Sequence, residues 1–229
     1  MPPARRSTAT GPGPIAPDGC AVEFYALISD SGESRIVHEA AGPGASILEL
    51  GCGAGRVTRP LTALGHAVVA VDESPDMLAR VDSAETVCSS IENLSLGRRF
   101  DAVLLSSNLI NVPDDDTRAA MLATCRAHVN DAGCVVVQQH PPAWFDIAGD
   151  RERTRDGIIL RLRDVTRPAA DLVSGTAEYV AGDRRWTQTF TARRLSEPVL
   201  AASLAAAGLC LDRYLTPDQG WFRAVPVLP

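Results

Sequence analysis

The sequence predicts an α/β fold: a sheet of parallel strands with helices on both faces, and an antiparallel β unit inserted late in the chain. Three observations predict it. Short apolar runs at Ser46–Leu50, Ala67–Val71, Ala102–Leu105 and Cys134–Val137 alternate with helix-like segments, the pattern of buried parallel strands. The first run leads into Glu49-Leu50-Gly51-Cys52-Gly53-Ala54-Gly55, where a carboxylate and three alternate glycines precede a helix pattern. That is a strand, a tight turn and a helix start. From Ile159 onward the pattern changes to the alternation of half-buried strands, in Ile159–Arg163, Leu172–Val180 and Arg185–Ala192. Ala181-Gly182-Asp183 reads as the hairpin turn between the last two.

In chain order, residues 1–18 are rich in Pro, Gly, Ala, Ser and Thr, and are expected to form a flexible tail. Residues 19–41 read as a helical cap: Gly19–Ile28 and Glu33–Ala41, broken at Asp30-Ser31-Gly32. The main domain takes 42–145 and 195–229. Within it a helix from about Arg56 to Leu64 is closed by Gly65, and Pro60 falls in its tolerated first turns. Ser74-Pro75 is a cap followed by proline at the first helical position. Glu85–Cys88 is a short strand. Asp114-Asp115-Asp116 opens a helix to about Val129; three carboxylates there complement the helix dipole better than they hold a metal. Asn130–Gly133 reads as a turn and Arg151–Asp156 as a charged loop. The antiparallel unit takes 146–194. Ser196-Glu197-Pro198 starts a helix stopped by Gly208, and Leu209–Leu215 and Trp221–Val227 supply the last two strands around a short turn.

Bulk properties narrow the function. The chain has 229 residues, 45% hydrophobic and 22% charged, enough for one large domain or a domain with an insertion. Its net charge of -6 disfavours a nucleic-acid partner, which calls for a basic stripe. No apolar run reaches membrane-spanning length. Arg5-Arg6 is followed by no hydrophobic segment of an export signal, so a cytoplasmic protein without a membrane partner is expected. The six cysteines form no C-x-x-C pair and read as reduced, mostly buried thiols; with four scattered histidines, no metal is expected. All 22 basic residues are arginine, which fits either recognition of phosphate and carboxylate groups or GC-rich coding. Residues 1–150 carry 10 Arg against 19 acids, and residues 151–229 carry 12 Arg against 9, so net charge passes from -9 to +3.

Glycines in the turn allow positive φ and close approach of a ligand to the backbone, and amides at a helix start favour polar or anionic groups. Asp72 ends the second strand about 20 residues later, where nucleotide-binding folds place a carboxylate for ribose hydroxyls. The dinucleotide fingerprint G-x-G-x-x-G fails at Arg56. The segment Glu49–Gly55 instead resembles motif I of the class I S-adenosylmethionine-dependent methyltransferases, E/D-x-G-x-G-x-G. Asp72 resembles their second acidic motif, and Phe100–Ser106 their fourth-strand motif. The resemblance covers Gly44–Val137 by motif and Ser196–Val227 by pattern. It implies a three-layer, Rossmann-like, seven-stranded sheet with the last strand antiparallel, a small antiparallel β lid after strand 5, and S-adenosylmethionine as cofactor. It also implies that Gly51, Cys52, Gly53, Arg56 and Glu73 surround the cofactor. Glu49 supports the loop or the cofactor amine, Asp72 takes the ribose, and Met77 and Ile91 flank the adenine. Ser90 stands where many members have an acidic residue for the adenine amino group, and offers a weaker neutral bond. Ser106 lies at the fourth-strand exit. Tyr25, in the helix that covers the cofactor, is either an aromatic at the methionine end or a core residue.

Acceptor candidates sit where strands end. Asn108 and Asn111 either line the acceptor or cap the next turn. Gln138–Phe145 joins two amides, an imidazole and two aromatics, stiffened by Pro141-Pro142. His140 is the candidate catalytic residue, orienting or deprotonating the acceptor between Trp144 and Phe145, with a structural loop as the other reading. Tyr179 and Trp186 of the lid face the acceptor or pack the sheet. Methyl transfer by in-line displacement rests on alignment, which can supply roughly 7–11 kcal/mol. A hydroxyl acceptor needs a base that an amine does not, and no second base stands out. The expectation is therefore N-methylation of a small natural product or modified peptide, with O-methylation as the alternative. A nicotinamide-dependent oxidoreductase and a non-catalytic cofactor-binding protein are the readings from other classes. The reading is compatible with a homodimer.

Overall fold

The structure, a computed structural model, describes residues 8–227. Strand β1 (Ala9–Thr10), the one-turn helix α1 (Val22–Tyr25) and α2 (Glu33–Ala41) come first. The main domain follows as β2 (Ser46–Leu50), α3 (Thr58–Ala63), β3 (Ala67–Asp72), α4 (Pro75–Leu78), β4 (Glu85–Cys88), β5 (Phe100–Leu105), α5 (Asp115–His128) and β6 (Val129–Gln138). Helix α6 (Pro142–Ile147) leads to β7 (Arg151–Arg155), β8 (Ile158–Ala169), β9 (Leu172–Ala181) and β10 (Arg184–Arg193). The chain then returns through α7 (Glu197–Ala206), β11 (Leu209–Tyr214) and β12 (Trp221–Pro226).

The main sheet has seven strands in the order β11-β12-β6-β5-β2-β3-β4, and β12 runs antiparallel to both neighbours. The expected three-layer, Rossmann-like sheet with an antiparallel last strand is thus present. Strands β2, β3 and β4 step outward one way, and β5 and β6 the other. The reversal between β2 and β5 opens a crevice at their carboxyl ends, where such sheets bind ligands. Period-two alternation sorts the core. Leu48 and Leu50 pack with Val103, Leu105, Met121, Leu122, Leu200 and Leu204 on the α5/α7 face. Ile47 packs with Ala102, Leu104, Val37 and Leu61 on the α2/α3 face. Each such side chain contributes roughly 1.5–3 kcal/mol on burial.

The capping signals act as written. Ser74 Oγ accepts from the Met77 amide at 3.3 Å. Asp114 accepts from the Thr117 amide at 2.7 Å and the Thr117 hydroxyl at 2.6 Å, and Asp115 pairs with Arg118. No helix among the described residues is long and apolar enough to cross a membrane.

Three expectations change. The first concerns the tail. Residues 1–7 lie outside the described residues, but 8–18 run along the lid, mostly exposed, with β1 pairing to β10 through Ala9–Gln188 and Thr10–Thr187. Trp186, fully buried, donates Nε1–H to the Pro12 carbonyl at 2.8 Å, and Gly11 lies so close that a Cβ there would meet the indole at 2.3 Å. Composition measured what the segment could bury by itself. It did not register that an edge strand needs a partner and that an indole needs a cover. Second, Arg151–Arg155 is a strand, not a loop, paired with β8 from Arg151–Leu162 to Arg155–Ile158. Charged side chains are tolerated there because β7 is an edge. Third, Asn130–Gly133 lies within β6 as an irregularity between the Phe100–Val129 and Ala102–Cys134 pairs, where the Asn130 side-chain amide donates to the Asp101 carboxylate at 3.0 Å. Of the cysteines, Cys52, Cys125 and Cys134 are buried, while Cys88 and Cys210 are exposed.

Trp186→Ala is expected to lower the unfolding free energy by about 3–5 kcal/mol in urea titration. It should also deprotect the Ala9 and Thr10 amides in hydrogen exchange. A change below about 1 kcal/mol would show that the indole does not anchor the N-terminal segment.

Candidate active site

The carboxyl ends of β2, β3, β4 and β5 face the lid across a cavity of about 740 Å³. Its floor begins with the glycine turn. Gly51, Gly53 and Gly55 have φ of 70°, 55° and 81°, conformations that L side chains rarely adopt. At Gly51 a Cβ would meet the tip of the Leu109 side chain at 2.9 Å, which can turn aside, so it is the positive φ that calls for glycine there. At Gly53 the same position is open, with no atom within 4 Å, which leaves room for a ligand against the backbone. Asp72 fixes this turn. Its Oδ2 accepts from the Gly53 amide and its Oδ1 from the Ser74 amide, each at 2.9 Å. A carboxylate offers about four acceptor sites, so two amides orient it before any ligand arrives.

Glu49 falls on the α2/α3 face of β2, only 1% exposed, and accepts from Thr58 Oγ1 at 2.6 Å. Burial pushes its carboxyl up to about 7, against the Thr58 bond and the Arg56 charge. Cys52 is a buried thiol whose pKa burial raises, so it is a packing residue and not a nucleophile. Arg56 lines the cavity and pairs with Glu33 at the start of α2, tying the helical cap to the glycine turn. Met77, 2% exposed, and Ile91, 6% exposed, give apolar walls. Ser90 receives the Asn93 side-chain amide at 2.8 Å, which directs the hydroxyl hydrogen elsewhere. Glu73 and Glu92 also line this part. A carboxylate pair at the strand ends, an open glycine turn and flat apolar walls fit the ribose, amino-acid and adenine parts of S-adenosylmethionine.

The acceptor side is built at the ends of β5 and β6. Buried Ser106 is followed by Ser107 and Asn108, both non-glycine residues at positive φ, 58° and 56°. Such strain of roughly 1–3 kcal/mol persists only where the surroundings impose it; here Gln138 Oε1 accepts from the Ser107 amide at 2.8 Å. Asn111, proposed as an acceptor contact, has its side chain engaged at both ends. It accepts from the His140 amide and donates to the Arg193 carbonyl, each at 2.8 Å. It holds the histidine loop to the end of the lid. His140 stacks on Trp144 with ring centroids 4.0 Å apart, and both line the cavity. Phe145, proposed as a second wall, is turned away from the cavity and packs on Val173 and Ala192. Tyr179 stacks on Phe24 at 3.8 Å and lies beside Tyr25, and both tyrosines line the cavity. Trp186 packs with Phe24 and Ile158 and does not line it.

Some lining residues carry no local motif. Asp18, at the end of the segment read as a tail, and Cys20, at the start of the helical cap, both enter it, with the Cys20 thiol donating to Asp18 at 3.1 Å and receiving Gln188 Nε2 at 3.5 Å. Arg151, Arg153 and Gln188 enter from the lid. The alternation Arg-Glu-Arg-Thr-Arg was the available signal for β7. Among the described residues no three His, Cys, Asp or Glu side chains are placed to hold a metal.

Asp72→Ala is expected to weaken binding of S-adenosylhomocysteine about 10- to 100-fold by calorimetry, since it removes a charged acceptor from two amides and from the ligand. Unchanged affinity would rule out the assignment. Glu49 gives a pH signature. Its folded pKa of about 7 exceeds the ordinary 4.5, so its contribution is fully present below 4.5 and is lost as pH rises through 7. The loss is about 3 kcal/mol in the ligand-free protein. Urea titrations at pH 5 and pH 8 should show it in the wild type and not in Glu49→Gln; equal slopes would place the charge in a solvated setting.

Comparison with known proteins agrees with this geometry. Residues 47–133 match the family model described as a methyltransferase domain. A ubiquinone biosynthesis O-methyltransferase from Bradyrhizobium sp. (strain ORS 278) is 33% identical over 113 residues, 46% of this chain and 44% of that protein. A cypemycin N-terminal methyltransferase from Streptomyces sp is 29% identical over 178 residues, 75% of this chain and 64% of that protein. The chain thus spans less than two thirds of the length of either relative. An S-adenosylmethionine-dependent methyltransferase from Clostridium acetobutylicum superposes with a TM-score of 0.72 at 16% identity, covering 89% of this chain and 94% of that one. At that identity the likeness establishes the fold. The nicotinamide reading is set aside, because the matching family and the glycine spacing agree. Residues 47–133 thus match a methyltransferase domain, in a chain that shares the fold of an S-adenosylmethionine-dependent methyltransferase.

Proposed function

We propose that the protein methylates an amine nitrogen of a small natural product or modified peptide. The observation that carries this is the setting of His140, whose ring stacks on Trp144 with centroids 4.0 Å apart and, among the described residues, has no carboxylate bonded to it that would make it a stronger base. Burial, helped by the Arg151 charge, pulls its imidazole down to about 4. Near neutral pH it is an uncharged ring, able to orient an acceptor but too weakly basic to generate an oxyanion nucleophile. An amine needs no such base, because it sheds its proton to water before the site closes.

S-adenosylmethionine, when bound, supplies a methyl group on a sulfonium, open to in-line displacement. The chain supplies placement. Asp72 and the Gly53 turn hold the nucleoside end, and Glu49 lies under the glycine turn. Tyr25, Tyr179, His140 and Trp144 surround the space left for the acceptor. The lid covers that space, excludes water and fixes the approach of the nucleophile.

The likeness to the cypemycin enzyme supports the amine. A match over 75% of a chain of 229 residues has to extend into the lid. The match to the ubiquinone O-methyltransferase covers 46%, an extent that the cofactor-binding half accounts for.

The test runs in two stages. Calorimetric titration should show S-adenosylhomocysteine binding and no NAD binding. Transfer assays should then favour peptide N-terminal amines and amino sugars over matched hydroxyl acceptors. His140→Ala is expected to raise KM while kcat falls less than about tenfold, and rate should follow the ionisation of the acceptor amine. A fall in kcat of about 10²–10⁴ would assign the imidazole a proton-transfer role and favour a hydroxyl acceptor.

A further inference from the structure

Antiparallel pairing defines the inner face of the lid, because residues directly opposite one another project from the same side. One cross-strand row runs Arg151, Leu162, Ala177, Gln188; the next runs Arg153, Leu160, Tyr179, Trp186. Every member except Trp186 lines the cavity. The lid thus shows the acceptor an apolar centre with two arginines along one margin. Their surroundings agree with that placement, since Arg151 acts electrostatically on His140 and Arg153 on Tyr179.

These two arginines differ from the rest of the lid. Of the ten arginines between 151 and 194, eight have partners in the structure. Arg155 bonds Ser31 and Asp156, Arg161 pairs with Glu152 and Glu178, and Arg163 reaches Glu152. Arg167 bonds the Asp146 and Ala148 carbonyls, and Arg184 lies over Trp186. Arg185, Arg193 and Arg194 pair with Glu178, Asp171 and Asp146. Among the described residues, Arg151 and Arg153 make no ion pair and no hydrogen bond through their side chains. Protecting an edge strand requires charge on β7 but does not require it on the face turned to the cavity. That face carries the row Arg151, Arg153, Arg155, while Glu152 on the other face meets Arg161. Four of the cavity's carboxylates, Glu49, Asp72, Glu73 and Glu92, lie at the cofactor end, with Asp18 and Asp114 elsewhere on its wall. The other arginines that line it, Arg56 and Arg161, are paired with carboxylates, which leaves Arg151 and Arg153 as its unengaged cations among the described residues.

We propose that Arg151 and Arg153 form an oxyanion subsite for the acceptor, which carries a carboxylate or phosphate group apart from the amine that is methylated. A guanidinium presents a planar fork that matches either group, and two of them two residues apart on one strand face can grip the same anion. The acidic cofactor end would repel the same anion, so the subsite sets the acceptor's direction as well as its affinity. The inference rests on the amine-methyltransferase reading for its meaning, but its test does not depend on turnover.

Inorganic pyrophosphate and phosphate serve as phosphate probes and acetate as the carboxylate probe, each titrated calorimetrically with and without S-adenosylhomocysteine. The wild type should bind at least one class, with affinity falling as sodium chloride rises. Arg151→Ala and Arg153→Ala should each weaken that binding about tenfold. Arg163→Ala, on a lid arginine outside the cavity, should leave it unchanged. S-adenosylhomocysteine affinity should be the same in all variants, which also reports that they fold. Binding of phosphates alone or of acetate alone supports the subsite and names its anion. No binding of any probe to the wild type, or equal binding to the double variant, overturns it. Loss of S-adenosylhomocysteine affinity in Arg151→Ala or Arg153→Ala also overturns it, because the arginines would then serve the cofactor. Failure of the wild type to bind S-adenosylhomocysteine would instead count against the cofactor assignment, and the anion titrations would still decide the subsite.

Discussion

The carboxylate of Asp72 is the constraint on which the site depends. It stands at the end of β3 and accepts one amide from the glycine turn after β2 and another from the start of α4. Two loops that would otherwise move separately are referred to one rigid strand. The strand is held in turn by parallel pairing on both sides and by apolar side chains buried on both faces. The open space at Gly53 has a fixed size because this carboxylate holds the turn still. A cofactor that must be aligned within a fraction of an ångström needs such a reference point more than it needs any single strong contact.

Glu49, one strand over, shows the other use of a carboxylate. Asp72 is half-buried and bonded to amides; Glu49 is sealed against Thr58 and ordinarily shares its proton near neutrality. Its charge state is thus sensitive to what arrives above the glycine turn. A cationic group nearby would favour the ionised form, so binding and proton release are coupled at this position.

The main domain was legible because its signals are local. Apolar runs, caps and glycines each act within a few residues, and Ser74, Gly65 and Asp114 do what their types suggest. The residues proposed for the cofactor, Glu49, Gly53 and Asp72, lie at the strand ends that those runs fix and line one cavity. The acceptor side was less legible because its partners are distant in sequence. Asn111 was named and lines the cavity, but its bond to the Arg193 carbonyl, which spans 82 positions, carries no local signal. Phe145 does stand beside His140, edge-on with ring centroids 5.9 Å apart, but it backs that ring from the apolar cluster of Val173 and Ala192 and does not line the cavity. Asp18 and Cys20 lie in a segment whose composition says nothing of Gln188. The strand Arg151–Arg155 carried the right period, but its charge obscured it.

The pairing of β1 with β10 has a consequence for how the chain is made. Thr8 and Thr189 are 181 positions apart and bond directly. At roughly 5–20 residues per second, a ribosome would take on the order of ten to forty seconds to deliver the partner strand. During that interval the main sheet can assemble from neighbouring segments, but the N-terminal strand has nothing to join. Contacts of such long separation close last. The N-terminal strand therefore joins the lid only after β2 to β6 have been made, with α7, β11 and β12 of the main domain still to come.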